Sequence, residues 1–332
     1  MSAGGGGING TSVGGLLARR LLQLPLIVLA VYTVTFLLAW SIPGNPLENP
    51  EGRRPPPEIA EAMQKQYKLD DPVAFYFDYL GKASGVSWAL GKHPVPFDLG
   101  PSLKQPDWSV NEILGTGLPV SISLGLAAML IALSIGLVAG TIGGLRPGTT
   151  PDYLTQLLAI VGISLPSFVI GSAILMFFAV KLRAPAIGWG GETVFESLVR
   201  ASFPAFTLSL PFAAYISRLV RFGMIEEMSS DYIRTARAKG LPRWKVALKH
   251  ALRNAFLPVL SYLGPATAVA LTGSFVVEKV FAVPGVGQHF VDGVLGKDIT
   301  LVMGVVLVYS TLMVVLNLAV DVLYRFVDPR LG

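Results

Sequence analysis

Residues 115–145 read G-T-G-L-P-V-S-I-S-L-G-L-A-A-M-L-I-A-L-S-I-G-L-V-A-G-T-I-G-G-L, 31 positions without a charged side chain. As a helix this run is about 46 Å long, more than the roughly 30 Å of hydrocarbon in a bilayer. Its apolar residues are continuous and do not alternate, which selects a helix over a barrel strand. Five further blocks have the same character: 21–42, 153–180, 202–222, 255–277 and 299–320. Lipid offers no hydrogen-bond partners, so each spanning segment must satisfy its own backbone. The predicted fold class is therefore an all-α polytopic membrane protein with six transmembrane helices. The 52% hydrophobic and 14% charged content fits this, since soluble chains average about 25% charged.

Charge outside the spans orients them. With the N-terminus inside, and the long 48–112 segment set aside, the inner segments carry 14 Lys and Arg against 5 outside. Positive residues stay on the cytoplasmic side, so both termini are expected there. The net charge of +5 then marks a membrane face, and nucleic acid is not an expected partner. The Arg19-Arg20 pair precedes an apolar run too long for a cleaved signal, so the first helix is read as retained.

The reading divides the chain into a disordered Gly-rich leader (1–15), a first helix with an external loop (16–112), a five-helix core (113–325) and a cytoplasmic tail (326–332). In the external loop, 58–68 reads as a short surface helix, and Asp70-Asp71-Pro72 opens a second. The aromatics of that second piece, Phe75, Tyr76, Phe77 and Tyr79, suit either the membrane interface or packing against outer helix ends.

Several chemistries lack their residues. There is no cysteine, which excludes a disulfide scaffold, a thiolate zinc site and a Cys nucleophile. No G-x-x-x-x-G-K-[ST] phosphate loop, G-x-S-x-G or H-E-x-x-H is present. His93, His250 and His289 are too scattered to suggest a metal site. The span centres carry no Asp, Glu, Lys, Arg or His of the kind that couples a carrier to an ion gradient. Energy is therefore expected from another subunit, and no cofactor is expected. Seven prolines (Pro25, Pro119, Pro166, Pro204, Pro211, Pro258 and Pro265) punctuate the spans, and hinges among them are not distinguishable by sequence.

The most informative loop lies at 226–258. Ser229, Ser230 and Asp231 suit a helix N-cap, helix formers follow to Lys239, Gly240 suits the C′ position, and Pro242 forbids continuation. This predicts a separate short helix over 231–239. A second helix is expected over 243–256, with Lys245, Lys249 and Arg253 on one face. That basic stripe suits anionic lipid headgroups as well as a protein partner. Ala236 and Gly240, four residues apart, would let a partner approach the backbone closely.

These residues also carry a resemblance. D-Y-I-R-T-A-R-A-K-G-L at 231–241 resembles the EAA loop of ABC importer permeases, whose E-A-A-x-x-x-G core forms a coupling helix. Ala236 matches the second alanine and Gly240 the glycine. Arg234 and Thr235 stand where the general pattern has glutamate and alanine. Followed by H-A-L-R-N-A-F-L-P at 250–258, the segment is similar to the B-type permease of dipeptide, oligopeptide and nickel importers. R-R-L-L-Q at 19–23, P-G-N-P at 43–46, F-A-V-P-G-V-G at 281–287, and D-V-L-Y at 321–324 with D-P-R at 328–330 extend the likeness over 16–332.

The resemblance implies a type I ABC importer permease fold, with Asp231, Tyr232, Arg234, Thr235, Ala236, Arg237, Ala238, Lys239, Gly240 and Leu241 coupling to an ATPase. It implies a second permease of the related C type, two ATP-binding-cassette subunits that hydrolyse the nucleotide, and an external solute-binding protein. Peptides are the implied solute. Two other classes fit parts of the sequence. An ATP-independent carrier or channel would show no ATPase partner, and a polytopic membrane enzyme would need a polar catalytic pair at matching depth.

Overall fold

The computed structural model describes residues 13–47, 56–105, 107–181, 188–272 and 275–327. Much of the leader and most of the tail lie outside them, although residues 13–15 and 326–327 are helical. Fifteen helices follow one another among the described residues: α1 (Val13–Ser41), α2 (Pro57–Tyr67), α3 (Pro72–Ala83), α4 (Val86–Ala89), α5 (Val110–Leu145), α6 (Thr150–Ser164), α7 (Ser167–Leu175), α8 (Val194–Met228), α9 (Asp231–Ala238), α10 (Arg243–Val246), α11 (Leu252–Ala255), α12 (Leu257–Leu271), α13 (Phe275–Val280), α14 (Val286–Gly296) and α15 (Ile299–Val327). There is no strand among the described residues, only one isolated bridge between Pro101 and Ser109.

Four helices, α1, α5, α8 and α15, are long and apolar enough to cross a membrane. The other two expected spans are bent. The block 153–180, read as one span, is α6 and α7 meeting at 100°. Pro166 is the cause: the residue before a proline is driven out of the helical region, and Leu165 is extended at φ −87°, ψ 128°. Past α7 the chain runs through a π-helical stretch, Met176–Lys181. The block 255–277 instead begins at α12, which meets the preceding helices at 53° and ends at Leu271. By contrast, Pro25, Pro119, Pro204, Pro211 and Pro265 sit inside continuous helices. The 202–222 span is also longer than its apolar block. α8 has 35 residues, about 52 Å, against the roughly 30 Å of hydrocarbon in a bilayer.

The axis of the fold is the α5–α8 pair. Gly136, Gly140 and Gly144 form a small-residue seam on α5, pressed against Ala213, Ile216, Ser217, Val220, Arg221 and Met224 of α8. Small residues four apart let membrane helices approach closely enough for backbone contact. Leucines such as Leu22, Leu26, Leu130, Leu157 and Leu158 remain exposed and supply a lipid-facing surface.

The segment before α5 is tied down. Asp71 caps α3 by accepting from Val73 N and Ala74 N, both at 3.0 Å, and Ser109 and Glu112 form a capping box on α5. Of the α3 aromatics, Phe75 and Tyr79 are buried against Phe36 and Tyr32 of α1, and the Tyr32 hydroxyl donates to Tyr76 O at 2.7 Å. Phe77 alone is exposed, at 64%. Packing thus accounts for three of the four aromatics. The buried Asp298 carboxylate accepts from Ser102, from the Thr300 hydroxyl (2.9 Å) and from Leu301 N (3.1 Å), fastening the loop to the start of α15.

Candidate functional site

The short helix stands where the caps place it. α8 ends at Met228, and the Ser229 and Ser230 hydroxyls fold back onto the carbonyls of Glu226 (2.7 Å) and Glu227 (2.6 Å). Ser230 is the N-cap residue, but its side chain does not cap α9. Asp231 opens the helix, a favourable place for a carboxylate. At the other end, Gly240 N donates to Arg237 O at 2.9 Å with φ +79°, a left-handed position that glycine takes without strain. Pro242 then starts α10. The helix ends at Ala238, one residue short of the expected limit, with Lys239 as C-cap.

One expectation is reversed. Ala236 does not offer its small surface to a partner. With Ile233 it is buried against Val246, Ala247 and Ala251 of the same chain. The i, i+3 spacing of Ile233 and Ala236 sets one inward face, and this apolar pair among charged residues was a signal present in the sequence. The outward face carries Asp231, Tyr232, Arg234, Thr235, Arg237, Ala238 and Lys239, with Leu241 half-buried just beyond. Gly240 is open: a side chain there would meet nothing within 4 Å.

The second helix, expected over 243–256, is interrupted. α10 and α11 flank a π-helical stretch, Ala247–Ala251. The extra residue per turn keeps Val246, Ala247, Ala251 and Ala255 buried, and Lys245, Lys249 and Arg253 still face outward with Trp244 and Leu248.

Two polar clusters lie at this end of the bundle, of which only the first includes α9, and neither has a sequence signature. In the first, the Tyr232 hydroxyl donates to the Glu227 carboxylate, and Asn254 Nδ2 donates to Tyr232 Oη (3.1 Å) and Glu227 Oε2 (3.3 Å). Burial, with the Glu227 carboxylate beside it, pushes the Tyr232 phenol above its ordinary range. Tyr232→Phe keeps the ring and removes these bonds. Amide exchange across α9 is expected to quicken about three- to ten-fold, the effect of one lost hydrogen bond, as read by mass spectrometry on the intact chain. Unchanged protection would show that the hydroxyl does not hold the helix.

In the second cluster, Asp152 at the start of α6 is 1% exposed and accepts from four donors. These are Arg221 Nε (2.5 Å), Arg221 Nη2 (2.9 Å), Gly148 N (2.8 Å) and Gln156 Nε2 (3.0 Å). Arg243 of α10 donates to Leu145 O, the last carbonyl of α5. The ends of α5, α6, α8 and α10 are therefore bound together beside α9.

The comparisons with known proteins agree over most of the chain. The family described as the binding-protein-dependent transport system inner membrane component matches residues 132–332. The N-terminal family of such membrane components matches residues 15–125. The chain is 40% identical over 319 residues to the dipeptide transport system permease protein DppB of Bacillus subtilis (strain 168), covering 94% of this chain and 96% of that protein. It is 39% identical over 318 residues to the oligopeptide transport system permease protein OppB of Escherichia coli (strain K12), covering 95% and 98%. A chain of the MetNI methionine ABC transporter, in an inward-facing conformation, superposes with a TM-score of 0.50 at 19% identity, covering 65% of this chain and 97% of that one. This last likeness concerns the fold alone.

Proposed function

From the premise that this chain belongs to the family of binding-protein-dependent transport system inner membrane components, we propose that it forms half of the path by which an ATP-driven importer moves di- and oligopeptides across the inner membrane. The family makes it a multi-pass membrane subunit without catalysis of its own, which replaces the carrier and membrane-enzyme alternatives. The other half would be a related second permease. Two ATP-binding-cassette subunits would dock inside, and a solute-binding protein would deliver peptide outside. The lysines and arginines around α9 support a cytoplasmic position for that helix and for both termini.

One observation carries the coupling role. α8 is longer than a bilayer's hydrocarbon, and α9 sits at its end with a mostly polar outer face beside a glycine that nothing covers. Asp231, Tyr232, Arg234, Thr235, Arg237, Ala238, Lys239, Gly240 and Leu241 would seat in a cleft of the ATPase, while Ala236 holds the helix to its own chain. Nucleotide-driven closure of the ATPases would then move α9, and α8, α6 and α10 with it.

The chain has no cysteine, so Ala238→Cys introduces a single thiol on the outer face. It is expected to crosslink to the ATPase subunit in the assembled transporter. A β-branched residue in the left-handed region costs about 1–2 kcal/mol, so Gly240→Val is expected to lower both the crosslink and the uptake of a labelled dipeptide about ten-fold. The amount of protein in the membrane should stay unchanged, and Gly240→Asn, which tolerates that conformation, should restore both. A thiol at 238 that never reaches the ATPase would overturn the coupling role.

A further inference from the structure

At the end of the bundle opposite α9, residues 281–287 form a strap between α13 and α14. Val286 of the strap lies against Gly117 near the start of α5, whereas α9 packs near Leu145 at the other end of α5. The strap is set by its turns. Val283 N donates to Glu278 O at 2.9 Å and Ala282 N to Lys279 O at 3.3 Å, closing the end of α13 with Ala282 left-handed at φ +50°. Phe281, Val283 and Val286 are buried. Phe281 belongs to the core between α5 and α8, and Val286 to the core of α1, α3 and α15, so the strap joins two packing units.

Its fastening is polar. α14 begins at Gly285, which has no side chain to cap the free N–H groups of the first turn. Other helices supply the acceptors. Val286 N donates to Ser121 Oγ of α5 at 3.0 Å, and Gly287 N donates to Glu278 Oε2 of α13 at 2.8 Å. Glu278 and Ser121 are both fully buried. The fit depends on two absent side chains: a Cβ at Gly285 would lie 2.5 Å from Ser121 Oγ, and one at Gly287 would lie 2.8 Å from Glu278 Oε2. The second carboxylate oxygen, Glu278 Oε1, has no hydrogen-bond partner among the described residues, nor has the hydroxyl of Tyr309, which stacks on Phe275 at 5.6 Å. A buried carboxylate half satisfied in this way is weak evidence of a role in overall stability, because an apolar residue often packs there at equal or lower cost.

We propose that Glu278 is a positioning residue: its carboxylate latches the strap over the outer end of α5, and opening of the translocation path on that side requires the Glu278–Gly287 bond to release. The word outer rests on the function proposed above; the latch itself does not. Glu278→Ala removes the side-chain acceptor of Gly287 N–H and leaves Ser121 as the strap's remaining side-chain acceptor. Glu278→Gln keeps a carbonyl for Gly287 N–H and adds a donor that can turn toward Tyr309.

The test places one thiol at the buried strap position, Val286→Cys, in the cysteine-free full-length chain within the assembled transporter, and measures labelling by a membrane-impermeant maleimide. With Glu278→Ala the labelling rate is expected to rise about ten- to a hundred-fold, the effect of losing a hydrogen bond to a charged group. With Glu278→Gln it should stay within about two-fold of the parent, whereas a role in bulk folding would raise it in both. In a parallel chain carrying Ala251→Cys, a buried position at the far end, and assayed in detergent so that the maleimide reaches both ends, Glu278→Ala should leave labelling unchanged, which separates local release from general unfolding. Equal labelling of the Val286→Cys strap with and without Glu278→Ala would overturn the latch, as would a parallel rise at Ala251→Cys. Labelling needs neither substrate nor ATP. A failure of the importer reading therefore shows in dipeptide uptake and leaves this result standing, while a failure of the latch shows here first.

Discussion

Arg221→Ala is expected to destabilise the protein by about 3–5 kcal/mol, the cost of stranding a buried charge by removing its partner. Asp152 is 1% exposed, and two of its four donors come from this one guanidinium. Without it, the carboxylate keeps only Gly148 N and Gln156, and α6 loses its ion-pair tie to α8. The thermal midpoint in detergent, followed by circular dichroism at 222 nm, should fall, and uptake of labelled dipeptide should fall at least ten-fold. Asp152→Ala strands the guanidinium instead and should act in the same direction, less severely, because Arg221 is 16% exposed and can reach solvent. Replacing both, as Asp152→Leu with Arg221→Met, removes both charges together and should recover most of the stability. If uptake stays low in that stable double variant, the pair also transmits movement from α8 to α6. A single Arg221→Ala chain that melts at the parental temperature would remove the pair from any account of the fold.

The spans were legible because hydrocarbon enforces the simplest rule in the chain: a charge-free block of sufficient length. The limits of α9 were legible because Gly240 and Pro242 stop a helix for local steric reasons that no tertiary contact reverses. The bends were not. Pro166 breaks a span, with Leu165 before it extended, while Pro119, Pro204 and Pro211 sit inside continuous helices, and the residue types alone do not separate the two cases. The facing of Ala236 was missed because a four-residue spacing to Gly240 identifies a small surface but not its neighbour. The buried carboxylates were missed for a related reason. Asp152, Glu278 and Asp298 flank apolar blocks in the sequence, and only the fold brings Arg221, the 286–287 backbone and Ser102 to them from up to 196 residues away.

Gly140→Val is the other substitution expected to act across the whole molecule. Gly136, Gly140 and Gly144 recur every four residues on one face of α5, and at each the partner is α8 itself. A Cβ at Gly140 would lie 2.5 Å from Ser217 O and 2.6 Å from Val220 Cβ, neither of them the free end of a flexible side chain. The helices must therefore separate, and the displacement reaches Arg221, whose carbonyl faces Gly144 one turn along. Overpacking by one methyl costs about 1–3 kcal/mol, and a branched side chain against backbone should exceed that range. The expected result is little Gly140→Val protein surviving in the membrane and no dipeptide uptake. Gly115 supplies the control on the same helix, since a Cβ there meets nothing within 4 Å. Gly115→Ala should stabilise the chain by about 0.5–1 kcal/mol, because alanine loses less conformational freedom in a helix than glycine. Opposite signs at positions 115 and 140 are what a packed seam requires. Equal tolerance at both would mean that α5 and α8 are not in contact, and that α9 has no rigid axis on which to act.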